Sequence, residues 1–264
     1  MYSLKEPSLI SQLRDLAVKN EEELQSSNVA LVNYSEELLN IQYRIASHYM
    51  PFLGPAMPFG RSGKYNPILF SVFHKNLMLL FSALELSRKG LYGAARNLER
   101  NVFEGLVIAK YSNVSSDFSI IEKWIETEDI YLSKMVLNKI ISPDPTIIKE
   151  YWSMLCDYAH PTRYSAQVWA DLDARGEFEE VISTFVDLLI LLECNYHLLN
   201  TQMINDRMEH EVRFYATHYV KTEKPFEIPT LRTRAHEIFR KLREDFEPLA
   251  IKLIYTYKRK WTLR

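Results

Sequence analysis

Apolar residues recur at steps of three and four through most of the chain. Leu31, Tyr34, Leu38, Ile41 and Ile45 fall on one helical face, and the pattern predicts two helices, over residues 8–26 and 28–49. The stretch 50–67, MPFLGPAMPFGRSGKYNP, interrupts it, because four prolines and three glycines forbid a regular helix. Phe52, Leu53, Met57 and Phe59 keep that stretch apolar, which predicts a loop folded back onto the body and covering a pocket. Pro67 suits the first turn of a helix running to about Arg88, with Gly90 just past its end. The next helix opens on LYGAARNLERNVFEGLVIAKYS, where Gly93, Ala94 and Ala95 are small enough for a neighbour to approach closely, so a tight helical hairpin is expected.

Ser116 or Asp117 can cap a further helix over 118–141, and Asp144 with Pro145 begins one that ends near His160. RYSAQVWADLDARG reads as a short connection, and residues 177–203 as a long central helix continuing toward His218. KTEKPFEIPT then separates a C-terminal helical pair, in which Pro248 either kinks one helix or opens the second. No window sustains the period-two alternation of a strand, and no repeat or low-complexity tract occurs. The expectation is an all-α fold, a helical bundle of about eight to ten helices in a single domain over 1–264, with a core bundle over 67–220 and a C-terminal helical extension over 221–264.

Composition narrows the function classes. Only 7 glycines and 11 prolines in 264 residues favour long helices, and a net charge of -2 gives no global positive field for nucleic acid. Cys156 and Cys194 are far apart and outside any C-x-x-C arrangement, so neither a disulfide framework nor a cysteine-rich zinc site is indicated, and a reducing cytoplasm is the simplest home. The start, MYSLKEPSLISQLRDL, lacks a signal-peptide pattern, and VISTFVDLLILLEC is broken by Asp187 and Glu193, which reads as a buried helix too short for a membrane span. A soluble, cytoplasmic protein with no membrane partner is expected, and a core of this size needs no cofactor or metal for stability. P-loop, α/β-hydrolase and zincin motifs do not occur.

Two segments concentrate chemistry. Between Val102 and Ala109 the only charged residue is Glu104, with Arg100 one turn back and Arg96 another turn behind, so an Arg96, Arg100, Glu104 stripe is expected to run into the core. It serves either as an ion pair bracing two helices or as the floor of a site. If the pair is buried, losing Glu104 should cost roughly 3 kcal/mol or more. The second segment is YWSMLCDYAHPTRY, residues 151–164, where Cys156 and His160 are i, i+4 neighbours. His160 precedes Pro161 at a helix end, where the dipole favours an imidazolium. A Cys–His nucleophile is unsupported without an oxyanion-hole signature, and a single Asp-x-x-His falls short of a di-metal bundle.

Taken together, RNVFEGL (100–106) and YWSMLCDYAHPT (151–162) resemble a group of bacterial all-helical proteins in which an R-x-x-F-E helix and a Tyr-x-His-Pro helix end recur. That group is related to the HEPN superfamily, many of whose members are ribonucleases of toxin–antitoxin and phage-defence systems. The resemblance spans about Gly90 to Thr162. It implies a HEPN-like core with N- and C-terminal helical additions, and a polar pocket lined by Arg100, Glu104, Tyr158 and His160. Arg96 and Arg163 complete it as ligand-binding residues, with RNA as substrate, a homodimer as the working state and no metal. The usual HEPN catalytic motif places a histidine four to six residues after an arginine that is followed by a polar residue. His160 has no such arginine; RFYATH, Arg213 to His218, has the spacing but carries Phe214 in the polar place. In such an enzyme histidine handles the 2'-hydroxyl proton or orients the phosphate, arginine stabilises the developing charge, and a dimer brings two copies together. The segment containing His210, Arg213 and His218 also reads as a solvated helix face.

The C-terminal IKLIYTYKRKWTLR mixes Lys252, Lys258, Arg259, Lys260 and Arg264 with Tyr255, Tyr257 and Trp261. It suits phosphate contact with base stacking, and equally a helix whose aromatics pack inward. The expected function is a HEPN-like metal-independent endoribonuclease of a bacterial defence or toxin–antitoxin type. The alternative is a non-enzymatic helical binding or regulatory module whose polar pocket holds a small ligand or partner protein.

Overall fold

Between Val102 and Ala109 helix Tyr92–Ser115 carries one charged residue, Glu104, and Val102, Phe103, Leu106, Val107, Ile108 and Ala109 are all buried, so this helix sits at the centre. The structure, a computed structural model, describes residues 9–53, 66–126, 132–142, 144–159, 178–203, 227–244, 246 and 248–263. It is an all-α helical bundle. In chain order α1 (Leu9–Ser27), α2 (Val29–Leu53), α3 (Asn66–Arg88) and the central α4 (Tyr92–Ser115) come first. They are followed by α5 (Ser119–Ile125), α6 (Leu132–Met135), α7 (Pro145–Ala159), α8 (Phe178–His197), α9 (Ile228–Leu242) and α10 (Pro248–Lys258). Helix α4 packs against α3, α7 and α8, while α8 also meets α2, α3 and α10.

The α3–α4 hairpin turns at Gly90, whose φ of 75° is the left-handed conformation that glycine adopts without strain. Asn20 of α1 reaches this turn and donates to the carbonyls of Ser87 (3.2 Å) and Arg88 (2.8 Å), two acceptors the helix end leaves open. Asp144 caps α7 by accepting the Thr146 amide at 3.0 Å, and Pro248 opens α10 rather than kinking it. Buried amides set the register of three helices. Gln42 of α2 donates to the Leu192 carbonyl (3.0 Å), Asn195 of α8 donates to Gln42 (3.0 Å), and Asn76 of α3 donates to Asn195 (3.3 Å).

Three expectations change. The single helix over 118–141 is instead α5, α6, a 3-10 turn at Leu137–Lys139 and a strand β1 at Ile140–Ser142 that pairs antiparallel with β2, Thr262–Leu263. Leaving the helix lets Ile140 point inward while Ile141 is 52% exposed, an alternation too short to stand out in the sequence. The central helix widens into a π-helix at Leu198–Met203 instead of staying α-helical. Among the described residues two segments, Ile68–Arg88 and Ile182–Asn200, are long and apolar enough to cross a membrane by length and composition, so Asp187 and Glu193 do not shorten the second; 78% of its apolar window lies inside the bundle.

The C-terminal helices share the main core, which runs without interruption from Leu24 to Trp261. Helix α9 packs on α2, fastened by Arg234 to Glu37 at 2.5 and 2.8 Å, and α10 packs on α7 and α8. Residues 50–53 continue α2; the remainder of the expected covering loop, 54–65, lies outside the described residues.

Candidate functional site

Arg96 is fully buried on the side of α4 that faces α8, and it does not share a face with Arg100 and Glu104. Its guanidinium binds Glu99 on its own helix at 3.3 Å, and Asp187 and Ser183 on α8. Asp187 also accepts from the Tyr151 hydroxyl of α7 at 3.0 Å, so one buried charge cluster ties three helices. The expected stripe fails for a geometric reason: four residues advance a helix by 400°, so each step of four rotates about 40° and two steps carry Glu104 from the core to the rim. Removing one partner from such a cluster leaves an uncompensated charge inside, so Arg96 braces the helices it joins.

Arg100 and Glu104 turn toward a second face, where α3, α4, α5 and α7 meet. The Arg100 guanidinium lies 4.9 Å from the Trp152 ring centre and also bonds the Cys156 thiol, while its buried Nε has no partner among the described residues. Phe103 stacks on Trp152 from α4, ring centres 6.5 Å apart, and holds that indole in place. On the other side Lys75 of α3 sits with its ammonium 3.7 Å from the centre of Trp124 of α5. Its stem is exposed, yet resting the ammonium on the indole strips water from that end and lowers the pKa of Lys75, with Glu104 acting in the opposite direction. Trp124 can lie so close because the neighbouring residue on α4 is Gly105. A Cβ there would come within 2.8 Å of the Trp124 ring and 2.8 Å of Asn76 Oδ1.

Glu104 therefore stands between two cation–aromatic stacks. It forms no direct ion pair with either cation; Arg100 and Lys75 act on it through space. Burial raises its carboxyl pKa, and the two positive charges only partly offset that. The expectation that losing Glu104 leaves a buried, unpaired Arg100 is thus corrected, since Arg100 rests on Trp152 at a partly exposed position. Cys156 is no activated nucleophile: burial raises its thiol pKa, against the charge and hydrogen bond of Arg100.

The other expected site residues are less fully seen. Tyr158 belongs to α7, and His160, Arg163, Arg213 and His218 lie outside the described residues. Sequence reasoning missed Lys75, Trp124, Glu99 and the role of Asp187. The last was legible as a charge inside an apolar helix, which must find a partner.

A separate polar cluster occupies the junction of α4, α8 and α10. Lys110 is buried with its ammonium 5.6 Å from the Tyr257 ring centre and 6.0 Å from that of Trp261, and burial lowers its pKa to about 8. Burial likewise lowers His197 to about 3, helped by the positive charges of Lys110 and Lys258, so this imidazole is neutral at ordinary pH. Of the surface hollows, one of about 580 Å³ on α1 is an open shelf lined by residues of that helix alone. Another of about 460 Å³ between α2 and α3 is apolar, with Tyr43, Met78 and Phe81 about half exposed. No group of three or more metal-ligating side chains occurs among the described residues.

Comparison with protein-family models, with curated proteins and with solved structures finds no match for this chain.

Proposed function

We propose that this chain is a metal-independent endoribonuclease whose reaction takes place on the Arg100–Glu104–Lys75 face. The observation that carries the reading is the carboxyl group of Glu104, its pKa raised by burial, held between two cations that it does not neutralise by contact. A carboxylate with a pKa drawn toward neutrality is suited to taking a proton, and two unspent cations beside it are suited to a phosphodiester. In the reaction the 2'-oxygen of the RNA attacks phosphorus while its proton passes to Glu104. The bond to the 5'-oxygen breaks, that oxygen takes up a proton, and Arg100 and Lys75 stabilise the charge on the phosphoryl oxygens. The resemblance to HEPN-related proteins adds His160, next in sequence after Ala159 of α7, as the working histidine; with Glu104 taking the 2'-proton, the role left for His160 is to protonate the leaving oxygen, and the resemblance favours a homodimer in a bacterial defence or toxin–antitoxin role.

A second reading, a non-enzymatic binding or regulatory module in the cytoplasm, draws on the apolar groove between α2 and α3. Cleavage of total RNA and tRNA in EDTA separates the two. Wild type should cut, Glu104→Gln and Arg100→Ala should lose most of the activity while remaining folded, and His160→Ala run beside His218→Ala identifies the working histidine. A folded wild type that leaves RNA intact removes the ribonuclease reading.

A further inference from the structure

Charge is unevenly distributed along this chain. Residues 227–264 carry ten Lys and Arg against five Asp and Glu, a net of +5, so the preceding residues carry -7 to give the total of -2. Most of the basic end is folded into α9 and α10, where Arg232 is taken up by Asn200 and Arg234 by Glu37, leaving further cations near the end of each helix. Arg240 of α9 and Arg243, the C-cap residue just past Leu242, are three apart and share a face. On α10 the exposed Lys252 and Tyr255 share a stripe, and the exposed Arg259, just past the helix end, donates its amide to the Tyr255 carbonyl at 3.1 Å. The two sets meet where the Arg243 guanidinium lies 5.9 Å from the Tyr255 ring centre.

This junction is anchored from below. Glu193 of α8 is fully buried, and its Oε1 accepts from Arg243 at 2.6 Å and from Lys258. One carboxylate thus holds two cations, which leaves a positive charge uncompensated and fixes the guanidinium beside the ring. Among the described residues Arg240, Lys252, Arg259 and Lys260 make no ion pair; Glu244 is an exposed acid beside Arg243, and Asp245 and Glu247 follow it in the sequence. Tyr255, 51% exposed, offers a flat aromatic surface among spaced cations. Cations spaced along a surface track phosphates, and an exposed ring stacks on a base whatever its sequence.

We infer that the α9–α10 surface, centred on Tyr255 and Arg243, binds single-stranded nucleic acid. The inference rests on the RNA-directed reading above for its RNA specificity, and it assigns that reading a binding surface distinct from the Arg100–Glu104–Lys75 face. Helix α10 packs on α7, which carries Trp152, so a strand held there is held by an element joined directly to the proposed reaction site.

The test uses the full chain and a fluorescein-labelled 2'-O-methyl oligouridylate of about twelve nucleotides, a length that spans a single-strand site. It has no free 2'-hydroxyl, so binding is read without cleavage. Anisotropy titrations should show affinity falling between about 50 and 200 mM salt, with a log–log slope near -3 for about four phosphate contacts. The triple variant Arg240→Glu, Lys252→Glu, Arg259→Glu should weaken binding by more than tenfold and flatten that slope. Tyr255→Ala should weaken it about tenfold with the slope unchanged. All four positions are solvent-facing, and circular dichroism of each variant verifies the fold.

Equal affinity of wild type and the triple variant overturns the surface, even if RNA is still cut at the other face. Tighter binding to phosphatidylserine vesicles or to polyglutamate than to the oligonucleotide also overturns it, assigning the basic patch to a membrane or an acidic protein. Tight, patch-dependent binding without any cleavage of unmodified RNA leaves the surface standing and removes the ribonuclease.

Discussion

Replacing Lys110 with methionine should stabilise the protein, because the native ammonium is held where its charge costs more than it returns. Among the described residues no carboxylate pairs with it; its neighbours are the rings of Tyr257 and Trp261 and the thiol of Cys194. A fall in its pKa from 10.5 to about 8 corresponds, at about 1.4 kcal/mol per pH unit, to a penalty of about 3 kcal/mol on the charged form. Cation–aromatic attraction to the two rings returns about 1–2 kcal/mol. Methionine keeps the apolar stem and removes the charge, so a net gain of about 1–2 kcal/mol is expected at pH 7. The sign follows from proton uptake. Between about pH 8 and 10.5 the unfolded chain holds the Lys110 proton and the folded chain does not, so wild-type stability rises with pH across that window, and the full penalty applies below it. Urea denaturation followed by far-ultraviolet circular dichroism at pH 7 and pH 9.5 should show wild type approaching the variant as pH increases. A Lys110→Met protein less stable than wild type by 1 kcal/mol or more would refute the reasoning, since the ammonium would then be contributing stability through its rings.

Other perturbations separate brace from site. Arg96→Met leaves Glu99 and Asp187 in the core and should cost about 3–5 kcal/mol in the same denaturation assay; a loss under 1 kcal/mol would mean the cluster is hydrated. Glu104→Gln should change stability by less than about 0.5 kcal/mol, because burial already opposes its charge and Arg100 keeps its place on Trp152; a loss near 3 kcal/mol would restore the buried-pair picture. Gly105→Ala drives a methyl group against Trp124 and Asn76 and should cost about 1–3 kcal/mol, with a shift in tryptophan emission; an unchanged melting temperature and spectrum would show that Trp124 does not lie there. Lys75→Met removes a positive charge near Glu104, which raises the carboxyl pKa further, so the acid limb of the RNA-cleavage profile should move to higher pH; an unmoved limb excludes Glu104 as the titrating group.

Helix periodicity and turn chemistry were legible where apolar residues recur over several turns or where a cap is local. The α3–α4 hairpin at Gly90 and the α7 start at Asp144 and Pro145 are of this kind, each set within a few residues of itself. Residues 118–141 were not legible as structure, because their course is set by a partner more than 100 positions away: β1 exists only where Thr262–Leu263 can pair with it. Such a strand carries three residues of alternation, and a helical pattern over the same window matches those residues equally well.

The candidate site shows the same division between local and distant information. Spacing on one helix identified Arg100 and Glu104 as neighbours, but it could not say which way the stripe drifts relative to the bundle, and that drift sends Arg96 to Asp187 on α8 while Glu104 comes to the rim beside α3. Lys75 and Trp124 escape any single-helix argument, since each is unremarkable in its own segment and the pair forms only across α3 and α5, over the gap that Gly105 leaves on α4. The glycine is the signal that was present: within an otherwise buried helix it forgoes about 1 kcal/mol of helix propensity relative to alanine, and that cost is met where another helix must approach the axis. Because the approaching group is the indole that supports Lys75, the residue that weakens α4 locally also sets the distance between Glu104 and its second cation. The electrostatics of the proposed reaction face therefore depend on a position that carries no side chain.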